Sequence, residues 1–143
     1  MSVKNNMIIK FSAISQNESF ARSVVACFAL QLNPSLSLLS DIKTVVSEAV
    51  TNAIVHGYPD GNGEITIEAK IDDDKLHINV FDNGVGISNL KEALEPFYTT
   101  KPEDERSGMG FTIMQTFMDE VTVESKVGLG TKVFMSKLIK ADA

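Results

Sequence analysis

The spacing of apolar residues changes period several times along this chain, and each change predicts a new element. Residues 7–14 put Ile9, Phe11 and Ala13 on one parity, as a strand with one covered face requires. Over 17–32 the period lengthens. Phe20, Val24, Cys27 and Phe28 recur at helical spacing and predict a buried stripe, and Asn33-Pro34 ends the helix. A second helix over 36–57 carries the stripe Ile42, Val45, Val46, Ala49 and Ala53. Segment 57–63, GYPDGNG, is dense in turn formers and predicts a loop. Alternation then predicts two strands, with Ile65, Ile67, Ala69 and Ile71 in 64–71 and Leu76, Ile78 and Val80 in 75–82. The acidic run 72–74 between them reads as a solvated hairpin turn. Beyond residue 83 regularity fades into a short helical stretch near 90–94 and the polar segment FYTTKPEDERSG. A third helix is expected from about Gly108, with Phe111, Met114 and Met118 on one face. Two strands, near 121–125 and 131–138, close the chain around KVGLG at 126–130.

This order predicts an α+β fold with one mixed β-sheet and helices packed on one face. With 143 residues, no internal repeat and no linker-like stretch, 1–143 reads as a single domain. A formal net charge of −6 opposes broad nucleic-acid binding, which needs surplus Lys and Arg, so no direct nucleic-acid partner is expected. One local basic pocket for a nucleotide remains compatible with it. Cys27 is the only cysteine, which excludes an internal disulfide or a thiolate metal cluster. Beside Val24 and Phe28 it is expected in the core, in a reducing compartment. The N-terminal MSVKNNMIIKF has no apolar stretch of signal-peptide length, and no run approaches the roughly 20 residues of a membrane span. A cytoplasmic protein without a membrane partner is the expectation.

Four short constellations carry candidate chemistry, and each alone also fits a plain structural role. Glu48, Asn52 and His56 line one border of the second helix's apolar stripe. They fit a solvated flank, or a carboxylate and an amide able to hold a proton and a Mg²⁺ ion. Asp82 has the inward parity of Leu76, Ile78 and Val80, where a carboxylate needs a donor. Followed by Asn83-Gly84-Val85-Gly86-Ile87, it fits a simple turn or a pocket in which it accepts from an exocyclic amine such as adenine's. Gly108-Met109-Gly110 at a helix start reads as a cap or as backbone N–H groups facing phosphate. Gly128-Leu129-Gly130-Thr131 by itself is a hairpin.

Taken in order, EAVTNAIVHGY, FDNGVGI, FYTTK, SGMGF and GLGT resemble the motif series of the GHKL (Bergerat-fold) ATPase/kinase superfamily, across about 48–134. The resemblance implies an ATP-binding fold that takes ATP or ADP with Mg²⁺ between its helices and a lid. Carried onto this sequence, it implies Asn52 as the Mg²⁺ ligand and Glu48 as the general base or water-orienting carboxylate. It implies Asp82 as the reader of the adenine amine, with Thr131 near the same network, and Gly84 and Gly86 shaping the base pocket. Gly108 and Gly110 would lie along the phosphates, with Met109 and Phe111 beside them. A lid over about 97–110 would offer Thr99, Thr100, Lys101 and Arg106 to phosphate oxygens.

Fold alone does not select a function within this superfamily. The chain has no room for the coupling domains of gyrase, mismatch-repair or chaperone members. Neither His56 nor His77 looks like an autophosphorylation site on a helical hairpin. Runs 44–58 and 95–116 are similar to the anti-sigma-F serine kinases of endospore-forming bacteria. That resemblance implies that the chain binds a sigma factor (sigma-F) and phosphorylates a serine on an anti-anti-sigma partner. A homodimer is expected, in part from the resemblance. The other part is the strand at 7–14, whose single charge, Lys10, would leave an open sheet edge. The first helix's outer face, with Arg22, Ala26 and Ala29, fits a docking site or an ordinary solvated face.

Overall fold

The computed structural model describes residues 4–88, Leu94 and 110–140. Strand β1 (Lys4–Ser12) leads into helix α1 (Gln16–Ala29), which tightens into a 3-10 turn at Leu30–Leu32. Helix α2 (Leu36–Asn52) widens into a π turn at Ala53–Gly57. Then come β2 (Glu64–Asp72), β3 (Lys75–Asp82), helix α3 (Gly110–Phe117), β4 (Glu120–Lys126) and β5 (Gly130–Leu138). The element order is the expected one. The helix expected near 90–94 lies, Leu94 aside, outside the described residues, as does the lid segment up to 109.

Local chemistry explains the boundaries. Asn33 takes a left-handed φ of 52° and closes the 3-10 turn. Ser35 caps α2, accepting the Leu38 N–H at 3.1 Å. Asp73, also left-handed at φ 55°, makes the tight β2–β3 turn.

The strands lie in the order β1-β2-β3-β5-β4. Every pairing among them is antiparallel, so the expected mixed sheet is corrected to an antiparallel one. β3 and β4 do run in the same direction, and as neighbours they would have made the sheet mixed. The β4–β5 hairpin folds back instead and inserts β5 between them. Two helices, an even number of passes, return the chain so that β2 runs against β1.

Ile65, Ile67, Ala69 and Ile71 of β2 and Leu76, Ile78 and Val80 of β3 face the helices and are fully or almost fully buried. They pack with Ile42, Val45, Val46 and Ala49 of α2 and Met114 of α3. The opposite sheet face carries polar pairs such as Lys75–Glu120 at 2.9 Å, as alternation requires. No helix among the described residues is long and apolar enough to cross a membrane.

Helix α1 corrects two expectations. Its buried stripe is Ala21, Val25, Phe28, Ala29 and, in the following turn, Leu32. Phe20 is 50% exposed, Val24 is half-buried and Cys27 is exposed, so Cys27 is not a core residue. Ala21 and Ala29 let α1 lie close on α2, and Phe20 and Cys27 are left facing outward. Conversely Ala26 and Ala29, expected on an outer docking face, are buried.

Candidate functional site

Glu48 and Asn52 stand one turn apart on α2, both half-buried, so their side chains share one side of the helix. The first residue of α3, Gly110, lies against them. A Cβ built there would stand 2.8 Å from Asn52 Nδ2, 3.2 Å from Asn52 Oδ1 and 3.3 Å from Glu48 Oε2. A Cβ there would press on the ends of both side chains, so glycine lets α3 begin this close without displacing them. Carboxylate and amide oxygens are hard donors suited to Mg²⁺, and the start of a helix offers N–H groups without intrahelical partners. The row expected to run on to His56 passes out of the α-helix at Asn52. Beyond it the helix widens, and the Tyr58 N–H reaches the Ala53 carbonyl at 3.2 Å across five residues. Gly57 is thereby brought to β3, where a Cβ on it would lie 3.0 Å from the Asp82 carboxyl carbon.

Asp82 ends β3 on the inward parity and is 8% exposed. Burial pushes its carboxyl above the usual carboxylate range, while backbone N–H groups of Gly84 and Thr131 pull it back. The Gly84 N–H donates to Asp82 Oδ1 at 2.9 Å. The loop after Asp82 is then pinned on both flanks. On the α2 side, the Val85 N–H donates to the Gly57 carbonyl at 2.9 Å, and a Cβ at Gly84 would come within 1.9 Å of that oxygen. On the hairpin side, Gly128 N–H donates to the Val85 carbonyl at 2.9 Å. Gly86 has φ +77°, and a Cβ there would stand 2.3 Å from the Lys126 carbonyl oxygen.

Two residues that sequence reasoning passed over hold this loop. Ser125 Oγ accepts the Ile87 N–H at 2.7 Å and lies 2.8 Å from Thr131 Oγ1, tying the loop to the hairpin that supplies Thr131. The Tyr58 hydroxyl accepts the Asn83 N–H at 2.7 Å. Ser125 belongs to no motif with recognisable spacing, and Tyr58 closes the EAVTNAIVHGY run with no role read for its hydroxyl. The only signal was a bulky aromatic among turn formers.

The structure thus gathers Glu48, Asn52 and Gly110 in one cluster and Asp82, Gly84, Gly86 and Thr131 in another, with the π turn of α2 running between them. Phe111 is half-buried and packs on the core. Thr99, Thr100, Lys101, Arg106, Gly108 and Met109 lie outside the described residues.

The model of the histidine kinase-like ATPase domain family matches residues 11–137. An anti-sigma F factor from Geobacillus sp. (strain WCH70) is 58% identical over 138 residues, 96% of this chain and 94% of that protein. The crystal structure of the RsbU and RsbW domains of a Mycobacterium tuberculosis protein shares the fold with a TM-score of 0.69 at 18% identity. It is matched over 97% of this chain, which spans 35% of that longer one. Full-length ShkA in complex with AMPPNP has a TM-score of 0.60 at 16% identity, over 90% of this chain and 30% of that one. An antiparallel sheet under helices, a carboxylate–amide pair against a helix start and a buried aspartate in a glycine loop agree with these matches: the chain belongs to the histidine kinase-like (GHKL-type) ATPase domain family and, within it, to the anti-sigma F factors.

Proposed function

We propose that this chain is an anti-sigma factor and ATP-dependent protein-serine kinase that binds a sigma-F-type sigma factor and phosphorylates a serine on an anti-anti-sigma protein. The observation that carries the kinase reading is the contact of Gly110 with Glu48 and Asn52, which sets a carboxylate beside a helix start suited to phosphate. The name shared by relatives such as the Geobacillus protein supports the sigma-factor partner. In this reading 1–143 is one ATP-binding domain that works in the cytoplasm without touching nucleic acid.

Asp82 accepts a hydrogen bond from the adenine amine, and Gly84, Gly86 and Thr131 shape the base pocket. Asn52 would hold Mg²⁺, which supplies charge neutralisation on the phosphates. Gly108 and Gly110 line the phosphate path with Met109 and Phe111 beside it, and Thr99, Thr100, Lys101 and Arg106 of a lid over 97–110 reach phosphate oxygens. Glu48 takes the proton from the substrate serine as its oxygen bonds to the γ-phosphorus and ADP departs. A lid anchored on the γ-phosphate would distinguish ATP from ADP and couple nucleotide state to partner choice.

The reading includes a homodimer. β1 is an edge strand, and an apolar strip runs along it. Met7, Phe20, Ser23, Val24, Cys27 and Phe28 line a hollow of about 450 Å³ on its helix-facing side, and Ile8, of opposite parity, is 56% exposed on the other. Two-fold pairing would cover both edge and strip.

Incubation with γ-labelled ATP, Mg²⁺ and extract from an endospore-forming bacterium separates the alternatives. Acid-stable label on one small protein is expected. Acid-labile label would identify a trans-acting histidine kinase, and no label an ATP-gated binding module.

A further inference from the structure

The β2–β3 ladder stops one pair before its register runs out. Its last pair is Ile65↔Asp82, and the next would be Glu64↔Asn83. Between those two backbones stands the Tyr58 hydroxyl, which accepts the Asn83 N–H at 2.7 Å and donates to the Glu64 carbonyl at 2.6 Å. One side-chain oxygen replaces a direct strand-to-strand contact and keeps the strand ends apart by its own width. The phenol has little freedom. Tyr58 is 8% exposed, and its ring lies so near Gly63 that a Cβ there would approach ring carbons to 2.3 Å. Its own N–H is held by the Ala53 carbonyl at the end of α2.

The wedge sits at the residue after Asp82. Where Asn83 leaves the sheet fixes where Gly84 turns, and the Gly84 N–H holds Asp82 Oδ1. Little slack remains downstream, because Gly84 is packed against the Gly57 carbonyl and Val85 is bonded to it. Without the hydroxyl, Glu64 and Asn83 are free to pair directly. The ladder would then lengthen by one pair and carry the Asp82 carboxylate with it.

We infer that Tyr58 is a positioning residue for base selection: its hydroxyl wedge aims the Asp82 carboxylate at the 6-position of the purine. This rests on the reading of Asp82 as the adenine acceptor. Inosine carries an acceptor oxygen where adenosine carries the amine, so the ratio of ATP to ITP affinity reads the aim of the carboxylate. A purely structural loss would weaken both nucleotides alike.

The experiment is calorimetric titration of ATP and ITP, each with Mg²⁺, into wild type, Tyr58→Phe and Gly63→Ala, with thermal melts of all three. Wild type is expected to favour ATP on the order of 100-fold or more, as for a site built around one substrate amine. Tyr58→Phe should cut that ratio about tenfold, the scale of a single hydrogen bond. Gly63→Ala keeps the phenol but displaces its ring, and should move the ratio the same way even if Tyr58→Phe does not fold. An unchanged ratio in every variant that folds, or equal weakening of both nucleotides, overturns the role of Tyr58 and leaves Asp82 as the reader. A wild-type ratio near one overturns the Asp82 reading and this inference with it.

Discussion

Replacing Asp82 by Asn exchanges one carboxylate oxygen for an NH₂ group and is expected to move nucleotide affinity and apoprotein stability in opposite directions. Backbone N–H groups of Gly84 and Thr131 already donate to this carboxyl group. In the amide they claim the single remaining oxygen, so the new NH₂ group faces the pocket and meets the adenine amine donor to donor. The loss combines a hydrogen bond to a charged acceptor, about 1.5–3 kcal/mol, with an unpaired donor at about 1–3 kcal/mol. ATP affinity should therefore fall on the order of 100-fold or more. Stability responds to the burial that raises the Asp82 carboxyl above its ordinary value. A carboxyl raised in the folded state contributes most below its unfolded pKa, and that contribution is lost as pH rises through the raised value. At pH 7 wild type carries the penalty of a buried carboxylate and the amide does not. The nucleotide-free variant should then melt at or above wild type, with the difference shrinking as pH falls toward about 4. Titration calorimetry with ATP·Mg and melts across pH 4–8 measure both. Near-wild-type affinity would refute the acceptor assignment, and an apoprotein melting well below wild type at pH 7 would refute the burial argument.

Glu48→Gln should keep ATP binding within a few-fold and slow phosphotransfer roughly 10²–10⁴-fold; Asn52→Ala should instead lose the Mg²⁺ dependence of binding, which titrations with and without the metal would read. Gly110→Ala places a methyl 2.8 Å from Asn52 Nδ2. The overpacking of about 1–3 kcal/mol is partly offset by about 0.5–1 kcal/mol from a better helix former, so melting should fall little while ATP·Mg affinity falls at least tenfold. Light scattering at micromolar concentrations should give twice the 15.6 kDa chain mass, and deletion of residues 1–14 should weaken the dimer; a mass that stays at one chain rules the dimer out.

The antiparallel core strands were legible because strict alternation leaves no choice of face: Ile65, Ile67, Ile71, Leu76 and Ile78 are all at most 2% exposed. The same parity places Asp82 inside, where it is 8% exposed. The extent of helix α1 was legible, but its buried face was not. Two apolar stripes compete on it, and size favoured Phe20 over Ala21, whereas close packing against α2 favours the alanine, which is 0% exposed. Strand order was out of reach for another reason. Nothing local to β4 or β5 says which strand of their hairpin meets β3. Of the residues the motifs single out, Glu48 and Asn52 lie against Gly110, and Asp82 lies with Gly84 and Thr131. The roles of the Tyr58 and Ser125 hydroxyls were not legible, because a hydroxyl that fastens two distant backbone segments leaves no trace in local spacing.

The glycines show how chemistry and fold constrain each other here. At Gly57, Gly84 and Gly110 an added Cβ would press on a carboxylate, a carbonyl or an amide of the site, while φ at these residues does not require glycine. They are small to allow close approach. Close approach lets the end of α2 touch both β3 and the start of α3, so that Asn52 and Asp82, thirty positions apart, belong to one wall. A wall assembled from backbone contacts can be held only by hydrogen bonds across it. The Val85–Gly57, Gly128–Val85, Ile87–Ser125 and Asn83–Tyr58 bonds supply them at 2.7–2.9 Å. Substitutions at these glycines should therefore damage nucleotide binding before they unfold the chain. Truncation of a core isoleucine such as Ile67 should do the reverse, costing about 2–5 kcal/mol of stability with base selection intact.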